Sequence, residues 1–492
     1  MRSLNRIDAL SKSPPAAVRP SMMVPLVIAC ALFMETLDGT VIATAIPAIA
    51  RDLDESPLAL NLAMTAYMLS LAVFIPLSGW LADRFGARRI FCAAIVVFTL
   101  SSLGCALAVD LNTLILARVC QGMGGSMMMP VGRLILLRTI PKNQFVKAMS
   151  WVVIPALVGP AVGPLLGGFI ATYWSWRWIF LINLPIGALG LFLALRHIGP
   201  ITGPKPRKPD IAGFLMLGLG LGSFAFAIDN LGRGILPAWS VVAGFAVAAV
   251  TLTIYGRHAL LSRYPALDLR LLRIPTFRIA TVGGSVFRVG IGTVPFLLPL
   301  MFQLGFGLSP LESGALTFST AIGAMTMKVV ATWVLRRFGF RTLLTWNALM
   351  SGVLLAATGL LRPDTPYLIV LALLMVSGFF RSLQFTCFNA LSFADVDDAR
   401  MSNATSFSSV AQQLSLGMGV AFAALLLSLV PGMADGHTVQ RIDPDNFLPI
   451  FAAAGLMCAA SWLWVRKLTP DAGAVMSGFG RKPSSNAELP AE

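Results

Sequence analysis

Charged residues are scarce in this sequence. Asp, Glu, Lys and Arg together make up 12% of its 492 residues, whereas soluble globular domains usually carry about 25%. So few charges exclude a water-soluble protein of this length, because too little polar surface would face water. The net charge of +15 does not indicate a nucleic-acid-binding protein, because no basic domain lies outside the apolar segments.

Groups that carry chemistry are scarce as well. The six cysteines lie inside apolar runs and form no CxxC pair, so we expect neither disulfides nor a metal site. The sequence shows no cluster of His, Asp and Glu of the kind that membrane enzymes hold near the interface, and we therefore expect no enzymatic activity. The GxxxxGK[ST] signature of ATP-driven proteins is missing too, and no cofactor is predicted.

Long apolar runs make up most of the chain. Hydrophobic residues account for 57% of it, and the mean hydropathy is +0.79. A membrane-spanning helix needs about 20 predominantly apolar residues, and we therefore predict an all-α membrane protein with fourteen spans. The predicted spans are approximately 23–45, 58–82, 89–109, 111–138, 148–173, 176–197, 209–230, 237–259, 276–304, 309–334, 341–362, 366–391, 403–431 and 446–468.

The distribution of basic residues supports this layout. With both termini in the cytoplasm and the sides alternating, only five of the 37 Lys and Arg residues fall in predicted outer loops and five within predicted spans. The remainder lie in cytoplasmic segments, as the positive-inside rule requires. The basic stretch before residue 23 leads into a long apolar run without a small-residue cleavage site, so we expect a retained first span instead of a signal peptide.

The predicted spans group as six, two and six. Two long cytoplasmic links, at 199–210 and 255–275, flank the seventh and eighth spans. An RFGxR sequence recurs at the same place in each six-helix half, at 84–88 and 337–341, and such parallel repeats are typical of two-bundle transporters. The predicted divisions are a cytoplasmic tail at 1–22, a six-helix bundle at 23–198, two extra helices with linkers at 199–275, a second six-helix bundle at 276–468 and a cytoplasmic tail at 469–492.

The link between the second and third predicted spans reads GWLADRFGARR, at 79–89. It resembles the loop signature of the major facilitator superfamily, GxLaDrxGrkr, which implies the major facilitator fold and a role for this loop in gating. A glycine at the start would let two helix ends approach closely, the carboxylate would pair with a base or cap a helix, and the arginines would meet anionic headgroups. A generic basic loop is the alternative. The motif residues are Gly79, Asp83, Arg84, Gly86, Arg88 and Arg89.

The first and fourth predicted spans contain buried charges. Span four contains RVCQGMG, with Arg118 and Gln121, which is similar to the RxxQGxG motif of the superfamily. Span one contains LDGTVIATAIP, with Asp38, which resembles the LDxTvvnvALP motif of the fourteen-helix drug:proton antiporters of the EmrB/QacA group. Asp38 and Arg118 each lie about seven residues, or roughly 10 Å, from the predicted outer end.

These spans adjoin in the family fold, so the resemblance implies a direct or water-bridged pair between Asp38 and Arg118. A carboxylate at this depth could exchange a proton for substrate, because desolvation and a neighbouring arginine act on it in opposite directions. Glu35, one turn away, is a second candidate for proton coupling. A static ion pair, or an arginine satisfied by carbonyls, is the alternative.

Span five contains two Gly-Pro steps four residues apart. Small residues allow close helix contact, and prolines bend a helix. The run resembles the antiporter motif of the superfamily, gxxxGPxxGG, which is associated with exporters. Packing alone is the alternative reading of the glycines. The motif residues are Gly159, Pro160, Gly163, Pro164, Gly167 and Gly168.

The second half carries embedded bases without evident acidic partners. Polar side chains there could line a central cavity or join helices, and the sequence does not decide between these roles. Together with one glutamine of span four, the substrate-cavity candidates are Gln121, Arg288, Lys328, Arg381, Gln384 and Asn389.

The resemblance covers nearly the whole chain, and two stretches, 56–91 and 175–187, are similar to the HsrA/MdtD-type branch. It implies a multi-pass transporter of the bacterial inner membrane that exports amphipathic drugs or toxic compounds by alternating access, driven by a proton gradient. The excess of embedded bases over acids leaves export of an organic anion, such as a carboxylate or a siderophore, as the alternative. The expected partners are a small-molecule substrate, protons and membrane lipid, and the sequence does not identify a periplasmic adaptor.

Overall fold

The computed structural model describes residues 23–139, 158–160, 162–200, 210–231, 237–397, 400–430 and 442–473. Every regular element in these ranges is helical. All predicted site residues lie within these ranges, whereas the predicted N-terminal tail, residues 474–492 of the predicted C-terminal tail and the first part of the fifth predicted span lie outside them.

The N-terminal half begins with a broken helix. Helix α1 (Met23–Val41) passes through a 3₁₀ turn, Ile42–Ala45, into α2 (Ile46–Asp52). The other helices of this half are α3 (Asn61–Phe85), α4 (Ala87–Ala106), α5 (Leu111–Thr139), α6 (Val162–Tyr173), α7 (Trp178–Leu181) and α8 (Asn183–His197).

Two peripheral helices follow, α9 (Ile211–Asn230) and α10 (Ala238–Leu261). In the C-terminal half, α11 (Pro275–Gly292) and α12 (Val294–Leu300) run into a π-helical turn, Met301–Gly305. The remaining helices are α13 (Pro310–Thr358), α14 (Tyr367–Leu391), α15 (Met401–Ser428), α16 (Phe447–Ala460) and α17 (Trp462–Val465).

Eleven helical stretches among the described residues are long and apolar enough to cross a membrane. The three predicted segments not among them are α5, which carries several arginines, the short described part of α6, and the first half of α13. Each of the fourteen predicted segments overlaps a described helix, but fourteen membrane crossings stay a prediction.

The helices pack in two groups that meet at a seam. In the first group, α3 and α4 pack on α5, and α1 packs on α8; in the second, α13 packs on α14 and α16, and α11 on α15 and α16. Helices α3 and α15 pack against each other across the seam, and α9 contacts both. The predicted bundle boundaries stay a prediction.

The RFGxR repeat has the same backbone irregularity in both halves. Gly86 separates α3 from α4 with φ 94°, and Gly339 interrupts α13 with φ 70°. Positive φ is strained for residues with a side chain, so glycine at this position lets one helix end and the next begin without a longer loop.

The two halves also touch at the predicted outer end. The Gln303 side chain, on the π-helical turn, donates to the carbonyl of Thr44 (2.8 Å), and the Leu311 amide donates to the Thr172 hydroxyl (3.0 Å). Above the first contact lies a polar cavity of about 840 Å³ lined by residues of the α2–α3 connection and the start of α13. The Thr44–Gln303 contact therefore separates this cavity from the buried part of α1.

Candidate functional site

An ion pair lies in the interior of the first half. Arg118, on α5, donates through Nη1 to Asp38 Oδ2, on α1, at 2.5 Å. The two side chains are 1% and 0% exposed. A buried charge is tolerated when it is paired and hydrogen-bonded. The sequence predicted a direct or water-bridged pair between these residues, and the structure has the direct contact.

A further side chain of α5 and one each from α4 and α8 complete the pair. Gln121 accepts from Arg118 Nη1 (2.6 Å) and donates to Asp38 Oδ1 (2.9 Å), and Asn183, at the start of α8, donates to the same oxygen (2.8 Å). Ser102, on α4, accepts from Gln121 (2.7 Å) and from Asn183 (3.3 Å). We call these five residues the Asp38 network; in it, the carboxylate accepts three hydrogen bonds.

Helix α3 closes one side of the Asp38 network. The carbonyl of Ala63 accepts from Arg118 Nε (3.3 Å), and the guanidinium lies 4.2 Å from the ring centre of Tyr67. A cation over an aromatic face is attracted by the ring quadrupole. Arg118 is thus held by a carboxylate, an amide, a carbonyl and a ring, which fixes its orientation.

Glu35 differs from Asp38 in its surroundings. Its Oε2 is buried and has no hydrogen-bond partner among the described residues, and the same is true of the Tyr67 hydroxyl. Glu35 packs near Gly125 of α5, one turn from Asp38. Ion pairs between described residues do not include Glu35, so this carboxyl has room for a proton where Asp38 has donors.

The antiporter-type motif packs its glycines on α1. Cβ atoms at Gly159 and Gly163 would overlap the hydroxyls of Thr36 and Thr40, and one at Gly167 would overlap the backbone of α1 at residue 41. The glycines and the threonines each recur at every fourth residue, which places each set on one face of its helix. Only glycine permits α6 to lie this close to the segment of α1 that carries the two carboxylates.

The other face of α6 meets the C-terminal half. A Cβ at Gly168 would overlap the Pro310 carbonyl, and one at Gly314, on α13, would overlap the Pro164 carbonyl. Pro160 lies in the short described stretch before α6 and is exposed. Helix α6 therefore contacts the carboxylate-bearing helix on one side and the opposite half of the molecule on the other.

The gating-type motif lies at the junction of α3 and α4. Asp83 accepts from Arg138 of α5 at 2.8 Å, and Arg88 donates to the Leu195 carbonyl of α8. Arg84 and Arg89 are exposed.

Gly79 does not make the close helix contact that the sequence predicted for it. It is exposed, and a Cβ there would meet none of the described residues within 4 Å. In the conformation described here, the end of α3 that carries Gly79 is not packed against another helix at that point.

Among the cavity candidates of the second half, one side chain joins two helices, and two bases donate to polar side chains of α14. Gln384 donates to the Leu344 carbonyl (3.1 Å) and accepts from Asn347 (2.8 Å), so it joins α14 to α13. Arg288, which is 3% exposed, donates to Asn389 (3.1 Å). Lys328 is exposed and donates to Thr386 (2.7 Å).

Arg381, Phe385 and Asn389 share one face of α14 at a spacing of four. The Arg288 guanidinium lies 5.2 Å from the ring centre of Phe385, and Arg381 is half-buried. Within the described residues, none of the ion pairs involves Arg288, Lys328 or Arg381. Three bases without an acidic neighbour thus surround this part of α14.

Sequence reasoning missed Asn183, Ser102 and Tyr67. Asn183 is an amide inside an apolar span, and polar groups at membrane depth are functional candidates by default; it stands in the quoted stretch 175–187. Ser102 carries no such signal, because single serines are common in spans. Tyr67 could be recognised only after α3 was known to pack on α5.

Sequence comparison decides the family to which this site belongs. The profile described as Major Facilitator Superfamily matches residues 28–420. The chain belongs to the major facilitator superfamily. It is also similar to proteins named for multidrug resistance, MdtD of Yersinia pestis (strain Pestoides F) and of Yersinia pseudotuberculosis serotype O:3 (strain YPIII). Each is 38% identical over 453 residues, which is 91% of this chain and 96% of the relative.

Solved structures share the fold of this major facilitator protein. A D-xylose–proton symporter matches with a TM-score of 0.64 and 18% identity, over 92% of this chain and 98% of that chain. A bacterial homologue of the human lysosomal transporter Spinster, inward-facing and unoccupied, matches with a TM-score of 0.59 and 16% identity, over 92% and 96%. The predicted all-α major facilitator fold is confirmed, and the chain is a multi-pass transporter of the inner membrane, not an enzyme.

Proposed function

We propose that this transporter is a proton-coupled antiporter that exports amphipathic drugs or toxic compounds by alternating access. The observation that carries the proposal is the ion pair of Asp38 and Arg118, enclosed in the Asp38 network beside a glycine-lined contact between α1 and α6. An ion pair with a purely structural role would not need a second carboxyl beside it. Here the Glu35 carboxyl lies one turn from Asp38, and its Oε2 has no hydrogen-bond partner among the described residues.

The two carboxyls would hold the proton in different conformations. Asp38 accepts from Arg118, Gln121 and Asn183, and donors of this kind favour a carboxylate anion. An unpaired carboxylate at the depth of Glu35 is costly, and binding a proton removes that cost. In this conformation we assign the proton to Glu35; opening of the Asp38–Arg118 pair would make Asp38 the acceptor.

Helix α6 would connect protonation to movement. It lies against the α1 segment between Glu35 and Thr44 and, through Pro164 and Gly168, against α13 of the other half. A change of α1 that accompanies loss of its ion pair would therefore reach the interface between halves through one rigid contact. Packed interfaces of this type have discrete arrangements and do not deform continuously.

The cargo class is proposed from two opposing observations. Relatives named for multidrug resistance favour amphipathic drugs. The three bases around α14 without acidic partners favour an organic anion, such as a carboxylate, because an anion would neutralise them. We propose drug export first and anion export as the alternative.

Transport in proteoliposomes under an imposed pH gradient tests the mechanism. Asp38→Asn removes the titratable group, so cargo flux should no longer depend on the gradient, and Glu35→Gln should weaken that dependence. Asp110→Asn is the matched control, because Asp110 is exposed in the α4–α5 connection. Coupled flux that is unchanged in both Asp38→Asn and Glu35→Gln would contradict proton transfer at this site.

The cargo is tested in the same vesicles. Lipophilic cations are compared with di- and tricarboxylates, using the intact chain and Arg288→Gln. Carboxylate transport that is lost in Arg288→Gln would favour the anion alternative. Cation transport that persists in Arg288→Gln would favour the drug proposal.

A further inference from the structure

A second, apolar cavity lies outside the Asp38 network. Its volume is about 160 Å³, and it lies where α9 and α10 meet the seam between α3 and α15. Leu69, Leu221, Phe224, Leu252 and Met418 supply most of its wall. Charged side chains are missing from the described residues that line it.

Two polar residues are among those that line this otherwise apolar space. Thr65, on α3, is 5% exposed, and its hydroxyl has no hydrogen-bond partner. A buried hydroxyl without a partner costs about 1–3 kcal/mol, and helical threonines usually relieve this by bonding to their own backbone. Gln413, on α15, is half-buried and lines the same cavity. The Thr65 hydroxyl oxygen is itself buried, so the surface that the cavity presents to an occupant is almost wholly apolar.

The size of the cavity limits the occupant. Sites for drug-sized ligands usually have volumes of about 300–1,000 Å³, so a cavity of about 160 Å³ is too small for a whole molecule of that kind. A single hydrocarbon chain fits both the volume and the apolar lining. The absence of charge in the lining leaves no partner for an ionised headgroup, which would have to stay outside.

The position of the cavity identifies the source of such a chain. Among the helices long enough and apolar enough to cross a membrane, α9 and α10 are the least buried, with only 22% of the residues in their apolar stretches buried. Large apolar side chains, including Leu215, Leu219, Phe226 and Val250, are exposed along them. In a membrane these faces contact acyl chains, so the cavity is beside the hydrocarbon region of the bilayer.

We propose that this cavity binds an acyl chain of a bilayer phospholipid. The bound chain lies between the peripheral helices and the seam of the two halves. It contacts α3 on the face opposite to Tyr67, which packs on Arg118. A lipid here would stabilise the α3–α15 contact, where Gly417 allows Met68 to approach closely.

Photo-crosslinking of the full chain in nanodiscs tests the proposal. The probe is a phosphatidylethanolamine with a diazirine in the middle of one acyl chain, and labelled peptides are identified by mass spectrometry. We expect the label on peptides that include the lining residues of α9, within Leu221–Ile228, or those of α15, within Gln413–Ala421. A phosphatidylethanolamine with the diazirine on its headgroup should not label them.

A pair of variants on α9 distinguishes bound lipid from lipid that merely surrounds the protein. Ala225→Leu fills the cavity, because Ala225 lines it, whereas Gly222→Leu on the same helix points into open space. Labelling of the α15 peptide should fall at least fivefold in Ala225→Leu and stay unchanged in Gly222→Leu.

Equal labelling in Ala225→Leu and Gly222→Leu would overturn the proposal, because it would indicate surrounding lipid only. A transported compound could also displace the lipid label. If the displacement followed simple competition, it would overturn the proposal as well, because the cavity would then be a cargo site. These readouts measure binding and not transport, so their failure is separate from failure of proton coupling.

Discussion

Arg118 makes its contacts through more than one part of its guanidinium. Nη1 reaches both Asp38 and Gln121, while Nε reaches the carbonyl of Ala63. A lysine ammonium is a compact point charge without this fork, so an Arg-to-Lys exchange at such a site is not conservative. The charge of the residue is therefore less informative than the arrangement of its donors.

We predict that Arg118→Lys keeps the fold but lowers transport. Loss of one hydrogen bond to a charged group is worth about 1.5–3 kcal/mol, which corresponds to roughly a tenfold or larger fall in rate. Initial rates in proteoliposomes give the measurement. Arg133→Lys on the same helix is the control, since Arg133 is half-buried and has no hydrogen bond or ion pair to the part of the chain that the structure describes. Equal rates in the two variants would contradict the prediction.

The sequence predicted the charged pair but not what surrounds it. Depth in two spans and the family motifs were sufficient for Asp38 and Arg118. Asn183 and Ser102 could not be assigned, because their role depends on α4 and α8 packing around α1 and α5. Gln384 had two predicted roles, and its hydrogen bonds to α13 favour the helix-joining one.

At the scale of elements, α1 and α6 fit together through matched series of residues. Glycines of α6 face threonines of α1, each at a spacing of four. The sequence predicted the glycine face, because the spacing is visible in it. It did not predict the partner, since the threonines at 36, 40 and 44 satisfy their hydroxyls on their own helix and carry no signal of a contact.

We predict that Gly163→Ala destabilises the protein and that Thr40→Ala restores part of the loss. The new methyl group would overlap the Thr40 hydroxyl, and overpacking of this kind costs about 1–3 kcal/mol. Removing the Thr40 hydroxyl creates space for the new methyl group. The rescue is only partial, because that methyl group still lies 3.0 Å from the Cβ of residue 40. Thermal unfolding of the purified single and double variants gives the measurement.

Gly190→Ala is the control for this pair, because a Cβ at Gly190 would meet only Ile95, at 4.0 Å. It should leave the unfolding temperature nearly unchanged. Additive effects of Gly163→Ala and Thr40→Ala, without any rescue in the double variant, would argue against the direct contact between these positions.

At the scale of the whole molecule, the structure represents one of the conformations that transport requires. The halves touch at the predicted outer end, through Thr44 and Gln303 and through Gly168 and Pro310. At the other end of α3, a Cβ at Gly79 would meet nothing within 4 Å in the part of the chain that the structure describes. This arrangement corresponds to a molecule closed on the outer side, and it explains why the helix contact expected at Gly79 from the motif is not formed.

We predict that Gly79→Leu blocks transport without affecting the conformation described here. A side chain at this position meets nothing within 4 Å, so folding, thermal stability and cargo binding from the inner side should be unchanged. In the alternate conformation, closure of the inner end would bring α3 against the opposite half, and overpacking there would cost about 1–3 kcal/mol. A bias of this size shifts the equilibrium roughly five- to 150-fold, and the turnover rate should fall correspondingly.

Gly222→Leu, which also enters open space but lies on α9, should leave turnover unchanged. Normal turnover of Gly79→Leu, or loss of cargo binding together with turnover, would show that Gly79 is not the contact point of the alternate conformation.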